Sequence, residues 1–566
     1  MRMPIEMEQE LERKKIAAYA LNHLPIVKEF AIKIGFVEII NNLIPSKMDI
    51  EPGPIFLGLV LDTLSGRTPL YQLENFFINQ DIDLLIDNNT KPSDFADHNV
   101  GRVLDLAYEI GSIKIFSEVA RKGVAIFDVD TKHVSFDTTS VSVYGNYDLC
   151  SDKSEAINIT YGHSKDHRPD LKQFLISMLC VNRNVPILGK TEDGNGSDKT
   201  INNDVLSSIS KHMAQHGLKP GAFIYIADSA MVTEDNLKET CDSNILFISR
   251  LPASYKECGR VIKEAVEKDE WKEIGALATT PPTDNRPVAH YKTCEKDVIL
   301  YGKCYRAVVV HSSAHDKRRQ KRMDKELNNE NKFLNTKCKE ITKEEYFCRA
   351  DAERAACQLK NTKSKYYKII TDVVDSPKYK RGRPKDGIKK IREMHYKITY
   401  KIQEKKEDIE RLEKEAGCFV LITNVPKEGE DCYDSSEILK AYKDQHGIEH
   451  DFGFLKDPAI VNGIFLKKPE RIEVLGLILL LSLLLWRLIE HSLRRHVEET
   501  SKDLPGWENR RTTRPTTFMM VTIFSGIMII KIGKERMLSK PLTNKQKEYL
   551  FALGLSSKIF TVPRKI

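Results

Sequence analysis

The first 125 residues carry apolar positions at helical spacing. "IVKEFAIKIGFVEIINNLI" (26–44), "GPIFLGLVLDTLSG" (53–66) and "GRVLDLAYEIGSIKIFSEVARKG" (101–123) each repeat every three or four residues, bounded by Gly or Pro. They predict a helical N-terminal domain over 1–125. The pattern changes at 126. "HVSFDTTSVSVYG", "AINITYGHS" and "KQFLISMLCVNRNVPIL" follow one another, rich in β-branched and aromatic residues, and predict three strands of an antiparallel meander. A helix near 201–216 leads to the apolar run "AFIYIAD" (222–228). A further helix capped by Thr233 then leads to the strand "ILFISRLP". The order β-β-β-α-β-α-β over 126–251 predicts a mixed sheet with helices packed on it.

Residues 252–417 break this order and read as an insertion. Possible strands in "HYKTCEKDVILYGKCYRAVVVHSS" give way to charged helices, "HDKRRQKRMDKELNNENKFL" and "KEEYFCRADAERAACQL". "SKYYKIITDVV" and a basic linker, "SPKYKRGRPKDGIKK", come next. A helix stopped by Gly417 closes the segment. "CFVLITNV" (418–425) is again strand-like, and "SSEILKAYKDQHGIEHDFGFLKDP" reads as one helix ending before Pro458. Region 418–500 therefore returns to the sheet domain, followed by a basic C-terminal tail over 501–566.

One run, "VLGLILLLSLLLW" (474–486), imitates a membrane span. It is 13 residues long, whereas a bilayer needs about 20, and Glu473 and Arg487 bracket it. It predicts a buried core helix, and no membrane partner.

Composition sharpens the picture at two points. Lys plus Arg number 88 against 81 Asp plus Glu, a small excess that is unevenly placed. Between Lys360 and Lys405 there are 15 basic and 5 acidic residues, and from Arg487 onward 16 and 7. Local basic surfaces of this kind face a polyanion or are simply solvated. The eleven cysteines are scattered without a CxxC pair, and the opening "MRMPIEMEQELERKK" has no apolar core. Both point to a cytoplasmic protein with reduced thiols and no structural zinc.

The candidate chemistry lies in carboxylates placed where strands want burial. Asp137 sits within the first strand, on the face shared by Ser135 and Thr139. Asp228 ends "AFIYIAD", at the C-terminal edge where open α/β sheets hold ligands. A strand-end aspartate also commonly caps the next helix or turn. If the two strands are neighbours, however, the pair resists double ionisation unless a divalent metal lies between them, and hard oxygen ligands select Mg²⁺ or Mn²⁺. A third acid comes from "YKDQHGIEHDFGFLK", where Tyr442, Gln445, Glu449, Phe452 and Lys456 share one helical stripe.

Together these residues resemble a DDE transposase of a bacterial or archaeal insertion sequence, of the group with a Tyr-Arg-Glu-Lys signature. Tyr442, Gln445, Glu449 and Lys456 match its spacing, with Gln445 in place of Arg. "GHSKDHRPDLKQFL" and "GRVLDLAYE" resemble the same group. The resemblance implies an α/β fold, with an RNase H-like catalytic core interrupted by a long, often strand-rich insertion. It implies that Asp137, Asp228 and Glu449 bind two Mg²⁺ (or Mn²⁺) ions for cleavage and strand transfer at phosphodiesters. Lys456 would contact a phosphate near the element end, and Tyr442 would position DNA. Gln445 would donate a hydrogen bond without charge. The implied partners are terminal inverted repeats and target DNA, bound by a homodimer in a synaptic complex. An RNase H-like nuclease without strand transfer and a decayed, DNA-binding copy are the alternatives.

Further residues point the same way. Arg381 and Arg383 in "KRGRPK" resemble an AT-hook, in which arginines around a glycine enter an A·T-rich minor groove; a flexible basic linker is the plainer reading. Lys165 and Arg168 are read as DNA-backbone contacts or as part of a rigid loop beside the site. His163 and His167 have i, i+4 spacing but no further zinc ligands in the surrounding sequence. No P-loop, GxGxxG or GxSxG pattern accompanies a suitable strand and helix, so ATP dependence and acyl chemistry have no support.

Overall fold

The computed structural model describes residues 16–143, 147, 156–166, 168–219, 221–277, 288–313, 317–381, 390–429, 431–457 and 466–566. The chain divides into two compact units, one formed by Met1–Ser249 with Ala441–Ile566 and the other by Arg250–Lys440.

The first unit opens with α1 (Leu24–Ile34), α2 (Phe36–Leu43), α3 (Pro52–Thr63), α4 (Asp97–Ile110) and α5 (Ser112–Phe127). Two of the apolar runs are each split by a glycine with positive φ, Gly35 at 68° and Gly111 at 94°. Side chains rarely adopt that backbone, so the chain turns there and starts a new helix.

The sheet follows: β1 (His133–Val143), β2 (Lys172–Val181), β3 (Val185–Glu192), then α6 (Asp198–Gln215), β4 (Ile224–Ala227), α7 (Glu234–Asp242) and β5 (Leu246–Arg250). The strand order is β3-β2-β1-β4-β5, with β1–β3 antiparallel and β4 and β5 parallel to β1. This is the order and sense of an RNase H-like mixed sheet. Two details differ from the sequence reading. "AINITYGHS" forms only an isolated bridge between Thr160 and Gln173. "KQFLISMLCVNRNVPIL" is two strands, because Asn182 and Arg183 take positive φ (43° and 75°) and make a hairpin turn. As expected, Thr233 caps α7, accepting from the Asn236 amide at 3.3 Å.

The second unit holds β6 (Lys272–Ala276), β7 (His290–Leu300) and β8 (Lys303–Ser312), then α8 (Lys317–Thr342) and α9 (Arg349–Lys360). Next come β9 (Tyr367–Tyr379), β10 (Ile391–Glu404), α10 (Lys406–Ala416) and β11 (Cys418–Thr423). The order β11-β8-β7-β6 is antiparallel throughout. β9 and β10 pair as a separate two-stranded ribbon from Tyr367↔Glu404 to Tyr379↔Ile391. Of the basic linker expected over 376–390, the first four residues belong to this ribbon, and 382–389 lie outside the described residues. The ribbon's charges hide an alternating pattern: Tyr367 and Ile369 join Leu334, Cys338 and Leu359 of the two charged helices in a small core.

The chain then returns to the first unit through α11 (Ser435–Asp444), α12 (His446–Leu455) and α13 (Pro469–Thr500). The segment read as one helix ending before Pro458 is therefore two. α13 is the only helix among the described residues long and apolar enough to cross a membrane, and 94% of its apolar window is buried inside the protein. It packs on β3, α1, α3, α4 and α5. Residues 501–566, expected as a basic tail, fold back. Met528–Ile532 pairs with Ile16–Ala20, and Lys531 and Arg536 bind Asp81 and Asp83.

His23, just before α1, is buried, and its Nε2 lies 3.0 Å from the Leu64 carbonyl. Burial pulls its pKa down from 6.5 to about 4, the Leu64 carbonyl opposing. A depressed histidine stays neutral in the native state while the unfolded chain takes up a proton. Stability is therefore full above pH 6.5 and lost as pH falls from 6.5 toward 4, by up to about 3 kcal/mol. Thermal unfolding followed across that window is expected to show this loss, and His23→Gln is expected to flatten it.

Candidate active site

The first two acids are set by strand register. β1 and β4 run parallel with His133 opposite Ile224, Val134 opposite Tyr225 and Ser135 opposite Ile226. Two residues further along both strands, the same register brings Asp137 level with Asp228. Asp137 remains 31% exposed in a strand that is otherwise largely buried, so its charge keeps contact with solvent. Its Oδ1 accepts from the Thr138 amide at 2.7 Å. Asp228 is exposed and caps a turn, accepting from the Ala230 amide at 2.9 Å, while Ser249 of β5 donates to its carbonyl at 2.7 Å. The capping role and the pairing of the two acids thus coexist. Tyr225 below them is buried. Burial raises its phenol pKa well above the usual value, and the negative charges of Asp228 and Asp137 add to it.

Glu449 lies on α12, which packs against β1. The glutamate is exposed, and the buried positions of the helix are Ile448, Asp451, Phe454 and Leu455. Gln445 precedes α12 with helical dihedrals, φ −56° and ψ −27°, and Tyr442 belongs to α11, so the stripe is spread over two helices. Both residues are half-buried. Among the described residues, no three His, Cys, Asp or Glu side chains stand close enough to hold one metal ion. The structure brings Asp137 and Asp228 together and places the Glu449 helix against the Asp137 strand, without closing a three-ligand set.

The "SKDHRPD" loop borders the acids. Lys165 Nζ donates to the Thr138 carbonyl at 2.8 Å and to its Oγ1 at 2.6 Å, and lies 3.8 Å from Asp137 Oδ1. Lys456, at the end of α12, pairs with Asp166 at 2.5 Å. Arg168 grips both oxygens of Asp170 at 2.8 and 2.7 Å on the surface. Arg381 is exposed at the end of the ribbon; Arg383 and His167 lie outside the described residues.

Sequence reasoning missed the buried charges under α12. Asp451 is fully buried and accepts from Arg487 Nε of α13 at 2.5 Å. Arg487 also meets Glu490 at 3.2 Å, and Arg494 meets the same glutamate at 2.6 Å. The Cys180 thiol of β2 donates to Asp451 Oδ2 at 3.6 Å. Burial pushes the Asp451 carboxyl up to about 7, opposed by Arg487. The available signal was Arg487 at the end of a long apolar run; nothing local marks Asp451 as its partner.

The chain is similar to known proteins in two comparisons. Residues 16–121 match a family described as a domain of unknown function (DUF4277). A cryo-EM structure of a piggyBac transposase synaptic complex with hairpin DNA is similar over 88% of this chain and 80% of its own, at 9% identity and a TM-score of 0.36. No curated protein matches.

Two glycines of α12 test how tightly it is seated. A Cβ at Gly447 would lie 2.6 Å from the Arg183 carbonyl oxygen, whereas at Gly453 it would meet nothing within 4 Å. Gly453→Ala is expected to stabilise by up to about 1 kcal/mol through helix propensity. Gly447→Ala is expected to destabilise by about 1–3 kcal/mol despite the same propensity gain, because backbone must move. Denaturant unfolding of both variants measures the contrast.

Proposed function

We propose that the chain is a DDE transposase of the insertion-sequence group with the Tyr-Arg-Glu-Lys signature. It would cleave DNA at the element's terminal inverted repeats and join the ends to target DNA. The observation that carries this reading is the placement of Asp137 level with Asp228 on neighbouring parallel strands of an RNase H-like sheet, with the Glu449 helix packed on the same strand. The donor chemistry fits a hard divalent cation: both neighbouring acids are carboxylates, both reach solvent, and the third candidate is another exposed carboxylate. Asp137, Asp228 and Glu449 would hold the metal. A pair of Mg²⁺ or Mn²⁺ ions there supplies Lewis acidity and a more acidic attacking water or 3′-hydroxyl.

The chain's own residues supply the rest. Lys165 and Lys456 bring positive charge to the loop beside Asp137, where a phosphate of the bound strand would lie, and Arg168 extends it at the surface. Tyr442 and Gln445 offer hydroxyl and amide contacts on the approach to Glu449. Arg381 is exposed where β9 ends, and it and Arg383, two residues on in the sequence, would reach into a groove of the DNA. Engaging two element ends requires two copies of the chain.

The test is Mg²⁺-dependent cleavage of a labelled duplex carrying the element's own end. Asp137→Asn, Asp228→Asn and Glu449→Gln are each expected to reduce the rate by roughly a hundredfold or more while leaving the melting temperature near that of the wild type. Wild-type rates in all three would sink the assignment. Cleavage without joining of the 3′-hydroxyl to a second duplex would favour a nuclease. Binding of the end without cleavage in the wild type would favour a decayed copy. Arg381→Ala with Arg383→Ala is expected to weaken end binding and to lower its salt dependence by roughly 2 in log–log slope.

A further inference from the structure

We infer that the buried Asp451–Arg487 pair is a positioning device that fixes the rotation of α12 about its own axis and thereby aims Glu449. The inference rests on the reading of Glu449 as the third metal ligand. Residues two apart on a helix are about 200° apart around it, so Asp451 in the core puts Glu449 on the open side. Apolar neighbours alone would hold that rotation loosely, since Ile448, Phe454 and Leu455 tolerate repacking. A buried carboxylate does not: turned away from its partner, it loses the compensation that makes its burial tolerable.

The partners of Asp451 are fixed from several directions. Arg487 reaches it from α13 and is held in turn by Glu490, which Arg494 also binds and to which the Thr517 amide donates at 3.3 Å. Cys180 reaches the other oxygen from β2, where it pairs with Ser135, two residues before Asp137. The turn after β2 adds three contacts, one each to α11, α12 and α13. The Arg183 backbone abuts Gly447 and its guanidinium meets Asp444 at 3.0 Å, while Asn182 lies 3.0 Å from His491 of α13. The strand that borders Asp137, the helix that carries Glu449 and the central helix thus converge on one carboxylate that never meets solvent.

A metal-binding cycle on the full chain tests this. Mn²⁺ affinity would be measured by calorimetric titration for wild type, Glu449→Gln, Asp451→Asn and the double variant. Asp451→Asn keeps the shape and one acceptor. We expect Glu449→Gln and Asp451→Asn each to weaken Mn²⁺ binding by roughly tenfold to a hundredfold. The double variant should be no weaker than Glu449→Gln, because Asp451 acts only through Glu449. Arg487→Lys, which keeps the charge but loses the fork, should behave like Asp451→Asn. Wild-type affinity in Asp451→Asn, or losses that multiply in the double variant, would overturn the inference. If Glu449→Gln itself leaves affinity unchanged, the metal-ligand reading of Glu449 is what fails. Unfolding of both Asp451→Asn and Arg487→Lys would also overturn it, since the pair would then support the whole unit rather than aim one side chain.

Discussion

The first unit is organised around a helix that is apolar on every side. A helix of this kind must be surrounded, either by lipid or by protein, and α13 is surrounded by protein. Its neighbours come from both ends of the chain: α1, α3, α4 and α5 before the sheet, β3 within it, and the helices Thr517–Ile523 and Asn544–Ala552 after it. Close approach is built in. Gly476 faces Thr191, and Gly189 faces Leu480, at distances where a Cβ would overlap. The N-terminal helices, the sheet and the C-terminal segment are therefore one hydrophobic core, although α5 ends at Phe127 and α13 begins only at Pro469.

That core imposes a condition on any charge inside it. Arg487, Asp451 and Glu490 are tolerated because each is paired, and each pair crosses between elements or between turns of α13. Such pairs add little net stability over apolar packing of the same shape, but breaking one is costly. Their effect is to restrict arrangement. The exposed acids work under the opposite condition. Asp137 and Asp228 are level with one another and both in contact with solvent, with the Lys165 ammonium 3.8 Å from Asp137.

The second unit shows where local sequence misleads. β9 and β10 carry so many lysines, arginines and acids that their alternation is easily taken for linker and helix. Only the inward positions, Tyr367, Ile369 and Ile398, need be apolar, because the opposite face is open to water. Glu345, gripped by Lys378 at 2.6 Å and Lys397 at 2.8 Å, joins both strands of the ribbon from outside it. That tie connects residues too far apart in the chain to be linked by any periodicity.

Much was determined by the sequence alone. Helical periodicity before residue 125, a strand with Asp137 inside it and an apolar run ending at Asp228 define an α/β chain, whereas burial inside the protein is what marks the long apolar helix as core. The sequence features are local properties, fixed by side-chain period and by the cost of burying charge. Tertiary structure alone decided which strands are neighbours, and hence that Asp137 and Asp228 share one level, because register depends on pairing between segments some 90 residues apart. It also decided that "YKDQHGIEHDFGFLK" is divided between two helices, seated by a glycine against a turn and by an aspartate in the core. Neither contact has a local signature: Gly447 and Asp451 look like ordinary surface residues until α13 and the β2–β3 turn are brought beside them.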